Sequence, residues 1–179
     1  ELALALQGRG HEVAIFGKPI EASQAGPAFP LLRPHFYRAL DNKLAKAMPR
    51  AVFLAGKGLV HIHDMRRLLG ALRDYRPDVI HVQWAPLPVV DRWFVRALRE
   101  IAPLVLTVHD TVPYNGNPRS YLQRLSAISI MGRFDRQVVH TVQAEQRLRE
   151  YGMSAATIRR IPHGPMGVAP VLDAVDVPE

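Results

Sequence analysis

The chain has 179 residues, 48% hydrophobic and 22% charged, with eight histidines, no cysteine and a formal net charge of +7. That length and apolar content suit one globular domain with a real core and leave little room for two. No apolar run approaches the roughly 18 residues of a membrane span, and without cysteine there is neither a disulfide framework nor a thiolate metal site.

Taken in chain order, Leu2, Leu4 and Leu6 read as helix interior stopped by Gly8 and Gly10, with no capping residue ahead of them. The chain starts at Glu1 with no basic-then-apolar leader pattern, and this opening reads as though a strand and turn belong upstream. Residues 11–17 (HEVAIFG) form the first predicted strand. Residues 18–58 fit the pattern less well and carry extra helical material, with Phe36, Leu40, Leu44 and Ala47 on one side of a predicted helix. Met65, Leu68, Leu69 and Leu72 make a helical stripe with Arg66, Arg67 and Arg73 off it. After Pro77 and Asp78, the β-branched run Val79, Ile80 and Val82 predicts the second strand.

Val90, Phe94, Leu98 and Ile101 follow helical spacing, with Asp91, Arg92, Arg96, Arg99 and Glu100 on the opposite side. Residues 104–108 give a third strand, residues 121–131 a further helix, and residues 137–140 (QVVH) a fourth strand. Residues 142–151 form a helix that Thr141 caps and Gly152 closes, and residues 158–161 are a fifth, weaker strand. Strands apolar on both faces that alternate with helices call for parallel pairing and right-handed crossovers, which is an α/β, Rossmann-like doubly wound parallel sheet.

Ligands of such sheets sit beyond the carboxyl ends of the strands. Those ends here carry Gln83 and Trp84, His109 and Asp110, His140 and Thr141, then His163 and Gly164. His81, inside its apolar run, reads as a hydrogen-bonded strand residue. His61 and His63 point apart on a helix and do not suggest a metal site. His140 fits a role beside the Thr141 cap as well as one in a site. His109 reads as functional because Asp110, Thr111, Pro113, Asn115 and Gly116 follow it in a polar, turn-rich loop. A metal hydrolase is a third-ranked reading, since only Asp110 stands near the histidines as a supporting carboxylate. There is no G-x-S-x-G elbow, Walker lysine motif or G-x-G-x-x-G fingerprint.

Five blocks, GRGHEVAIFG, RPDVIHVQW, PLVLTVHDTVPYN, DRQVVHTVQAEQRLREYG and IRRIPHG, resemble in order and spacing the N-terminal, acceptor-side domain of GT-B glycosyltransferases of the family 4 type. The resemblance covers residues 1–167 and makes residues 168–179 an interdomain linker or tail. It implies a hexosyl transfer from a nucleotide-sugar donor to a glycan or lipid-linked acceptor, with retention of anomeric configuration. It implies no metal and no other cofactor, and a separate C-terminal donor domain. It places His109 against the transferred sugar, has Asp110 steady the loop and has Asn115 help shape the acceptor pocket; Trp84, His140, His163 and Gly164, from their strand ends, are the further expected substrate-binding residues. The family's D-x-x-H-x-H block reads DVIHVQ here, with Gln83 where a second imidazole commonly stands. The missing first strand and donor domain predict a fragment inactive on its own. The alternative from another class is a noncatalytic α/β sugar-binding domain.

Residues 31–73 hold nine cations against Asp41 and Asp64, a surplus equal to that of the whole chain. Lipid-linked acceptors at the cytoplasmic membrane face make an anionic membrane surface the expected partner of this stretch, giving a cytoplasmic, peripheral protein. A solvated basic surface is the plainer reading. Nucleic acid is not expected, because no RNA- or DNA-binding motif is present and few aromatics interleave with the arginines.

Overall fold

The computed structural model describes residues 2–20, 29–40, 48–112 and 121–162. In chain order these form α1 (Leu2–Gln7), β1 (Ile15–Gly17), β2 (Leu32–Pro34), α2 (Arg50–Tyr75), β3 (Ile80–Val82), α3 (Pro88–Arg99), β4 (Leu104–Thr107), α4 (Tyr121–Met131), β5 (Arg136–Val139), α5 (Val142–Glu150) and β6 (Ile158–Arg160). Every strand pairing is parallel: β1 with β2, and separately β3-β4-β5-β6 in sequential order. The expected mixed α/β, Rossmann-like architecture is present. The chain divides into two units, residues 1–77 and 78–179.

In the second unit the aliphatic runs behave as their composition demands. Leu104, Leu106 and Val108 of β4 and its end, and Val139 of β5, are buried. Helices α3, α4 and α5 add Val95, Leu98, Ile130, Met131 and Leu148 to the same core. Strands covered on both faces need no polar alternation, which is why these runs look continuous in sequence. Polar groups then fix the ends. The Thr141 hydroxyl accepts from Ala144 N–H at 3.0 Å and starts α5, and Gly152 leaves that helix at φ 84°. Asp91, buried on α3, accepts the Leu87 N–H at 2.9 Å. Asp135 accepts the Leu104 N–H through Oδ2 at 2.9 Å and Arg99 through Oδ1 at 2.6 Å, so one carboxylate ties α3 to the start of β4. The buried Gln137 donates through Nε2 to the carbonyls of Met131, at 2.8 Å, and Phe134, at 3.1 Å, clasping the α4–β5 connection.

The first unit departs from expectation in three places. The strand predicted over residues 11–17 is confined to Ile15–Gly17. Its partner β2 was not foreseen, because Leu32, Arg33 and Pro34 make no β-branched run. The helix predicted through Phe36 and Leu40 is a turn followed by a short 3-10 segment, Arg38–Leu40; Leu44 and Ala47 lie outside the described residues. The cause is local. Gly17 carbonyl accepts from His35 and Phe36 N–H, at 2.8 and 3.2 Å, the Asp64 carboxylate takes the Tyr37 N–H at 2.7 Å, and Tyr37 has φ 59°, which no right-handed helix tolerates. The long helix is instead α2. It buries His61, Asp64, Met65, Leu68 and Leu72, and stops where Arg76 turns left-handed, at φ 51°, before Pro77.

Candidate functional site

Parallel pairing of β3, β4 and β5 sets their carboxyl ends side by side, and the residues just past those ends form a polar cluster. The ladder matches Ile80 with Leu104 and Val82 with Leu106, so Gln83 comes level with Thr107, two residues before His109. Gln83 Oε1 accepts from His109 Nε2 at 3.1 Å. The rings of His109 and His140 lie 5.6 Å apart, tilted by 37°. His140 is oriented from behind: its Nδ1–H donates to the Ile161 carbonyl at 2.8 Å. A carbonyl only accepts, so the proton of this imidazole is fixed on Nδ1. Two groups from distant parts of the sequence, His109 and His140, are thereby neighbours.

The loop that carries His109 is pinned at two points. Asp110 Oδ1 accepts the Val112 N–H at 2.8 Å, closing a small turn, and the Tyr151 hydroxyl donates to the Thr111 carbonyl at 2.9 Å. Beside it lies a shallow cleft floored by Leu106, Thr107 and Val108 and walled by Trp84, Pro88, Ile130 and Met131. Gln83 and Asp110 form its polar side, and Trp84 is 59% exposed.

His81 sits two residues before Gln83, within β3. Its Nε2 lies 2.7 Å from Thr107 Oγ1 and 3.2 Å from Gln83 Nε2. Although the residue is exposed, partial desolvation of the ring, and secondarily the neighbouring His109, lower its pKa below the ordinary imidazole value. It is the hydrogen-bonded strand residue its sequence context suggested. Thr107 and Tyr151 are contacts that sequence reasoning missed; nothing in their local patterns marks them, since each acts across at least 26 residues of chain.

Of the other sequence-derived candidates, Asn115, His163 and Gly164 lie outside the described residues. His61 and His63 part company on α2, with His61 buried at 1% exposure and His63 on the surface. His61 meets the Tyr37 hydroxyl through Nδ1 at 2.9 Å and stacks on the rings of Phe36 and Tyr37.

With this geometry in place, the comparison with known families is informative. Residues 1–164 match the family described as Glycosyltransferase Family 4, and the chain belongs to that family. It is a glycosyltransferase domain. No curated protein and no solved structure matches the chain.

Proposed function

We propose that this chain is the acceptor-side half of a GT-B enzyme that moves a hexosyl group from a nucleotide-sugar to a glycan or lipid-linked acceptor, with retention and without a metal ion. The observation that carries the reading is the convergence of Gln83, His109 and His140 past the carboxyl ends of β3, β4 and β5, beside the Trp84 cleft. As the glycosidic bond to the nucleoside diphosphate stretches, positive charge grows on the sugar ring and negative charge on the leaving phosphate. Dipoles already aimed at that centre lower the barrier without reorganising. His109 supplies such a dipole, Asp110 holds its loop, and Trp84 and His140 contact the sugars. Asn115, His163 and Gly164 complete the binding surface in this reading, residues 168–179 link to the donor domain, and activity requires that domain.

A donor screen on the intact protein, wild type against His109→Ala, tests this. Losing one preorganised polar contact is expected to lower kcat by about 10²- to 10³-fold. Undiminished transfer in the variant removes the assignment, and sugar binding with no transfer by the intact protein supports the noncatalytic alternative.

The same proposal places the protein peripherally on the cytoplasmic face of an anionic membrane. Support comes from the first turns of α2, where Val52, Leu54 and Leu59 are 55%, 55% and 70% exposed within the basic stretch 31–73. No helix among the described residues is long and apolar enough to cross a membrane. Apolar side chains flanked by cations favour the interface of an anionic leaflet. Sedimentation with liposomes is expected to show binding that needs anionic lipid and weakens with salt; equal binding to neutral vesicles at high salt contradicts it.

A further inference from the structure

A primary amide between two imidazoles is a polarised connector, because its oxygen can only accept and its nitrogen can only donate. Gln83 stands in that position. Its Nε2 faces His81 Nε2 at 3.2 Å and its Oε1 faces His109 Nε2 at 3.1 Å. The amide nitrogen requires His81 Nε2 to be bare, with the ring proton on Nδ1, and the Thr107 hydroxyl at 2.7 Å donates to the same atom. The amide oxygen requires His109 Nε2 to carry a proton. Turning the amide over would reverse both assignments together; in neither orientation can the two facing nitrogens be alike.

We propose that Gln83 is a positioning residue that makes protonation of His81 Nε2 and His109 Nε2 mutually exclusive, and so fixes the tautomer and orientation of the His109 ring at the rim of the cleft. The titratable groups around this pair are His140, whose ring neighbours His109 from the end of β5, and Asp110, whose carboxylate is turned to the Val112 N–H. A proton added to His109 leaves both amide bonds intact. A proton added to His81 Nε2 forces the amide to turn over and strips His109 of its donor. Partial desolvation of the His81 ring, which lowers its pKa although the residue is exposed, works in the same direction. The value of this for transfer rests on the reading of His109 as the sugar-contacting group, since an imidazole whose tautomer is fixed in advance spends no free energy on choosing one during reaction.

The test is a long-range ¹H–¹⁵N spectrum of the imidazoles in the intact, uniformly labelled protein at pH 8, with His81 and His109 assigned by single replacements. Opposed states are expected, His81 protonated on Nδ1 and His109 on Nε2. In Gln83→Glu the carboxylate can only accept, so His81 is expected to switch to Nε2–H and to bind its second proton about tenfold more tightly or better, while His109 is unchanged. Finding both facing nitrogens protonated, or both bare, in the wild type overturns the proposal whether or not the variant folds. An unmoved His81 in a folded Gln83→Glu protein overturns it as well. No donor or acceptor sugar enters the readout: opposed tautomers in a protein that transfers nothing uphold this inference against the transfer reading, and transfer with matched tautomers does the reverse.

Discussion

The two units bury themselves by different chemistry. Thirteen of the sixteen buried apolar side chains among the described residues belong to residues 78–162, and only Met65, Leu68 and Leu72 to residues 2–77. In the first unit those three are matched by three buried polar residues: His35 donates from Nε2 to the Asp64 carbonyl at 2.9 Å, Asp64 holds the Tyr37 amide, and His61 stacks on Tyr37. A short two-stranded sheet has little aliphatic surface to hide, so directed bonds to two histidines and an aspartate set its shape. The four-stranded sheet is held mainly by aliphatic burial, with a few buried polar side chains such as Asp91 and Gln137 tying its connections, and further polar residues stand past its strand ends, where a site can use them.

This contrast is open to measurement. Leu104→Ala removes a fully buried side chain from the centre of the larger sheet and is expected to cost about 2–5 kcal/mol of stability, read from denaturant or thermal unfolding. A cost below about 1 kcal/mol would mean that this core is far looser than its burial implies. Asp64→Ala in the first unit is expected to cost about 1.5–3 kcal/mol, because it removes a buried carboxylate and leaves the half-buried Tyr37 N–H without its acceptor. Hydrogen exchange should show that loss concentrated at residues 35–37 and along α2, and protection lost equally in β3–β6 would erase the distinction drawn here.

The smallest expected effect concerns Asp135. The Leu104 N–H, and then Arg99, hold its carboxyl below the usual carboxylate range despite some opposing desolvation. A depressed pKa stabilises the fold while the group is ionised, above its unfolded value near pH 4, and that contribution disappears as pH falls through the lower folded value. Asp135→Asn is therefore expected to lose about 1 kcal/mol at pH 7 and progressively less as pH falls below about 4. A deficit that did not shrink with falling pH would point to lost packing instead of lost charge.

Much of this architecture was readable from residue order. The aliphatic runs at 79–82, 104–108, 137–140 and 158–161 announced four strands, and Thr141 with Gly152 bracketed α5, because local propensity and tertiary demand agree there. Where they disagree the sequence misled. Phe36 and Leu40 have helical spacing, yet the amides of residues 35–37 are captured by Gly17 and Asp64. The first half of α2 carries Gly56 and Gly58 and no side-chain cap, so nothing local advertised a helix of 26 residues. At the site, His109 and Asp110 stood out by their place at a strand end. Gln83 was marked at a strand end too, but its place between two imidazoles was not legible, since only parallel pairing brings them to its two sides.

The clasp made by Gln137 bears on how β5 finds its place. Aliphatic neighbours are interchangeable to a first approximation: a strand that slid along β4 would still present valines to its surroundings. A buried amide is not interchangeable, because its two hydrogens reach the Met131 and Phe134 carbonyls from one position only. Misaligned insertion would bring there either Val138, which cannot donate and would leave two carbonyls dry, or the Arg136 guanidinium, whose charge is costly to bury. One glutamine thus acts as an alignment key for the strand that delivers His140, so that the aim of an imidazole is decided several residues before it, in the interior.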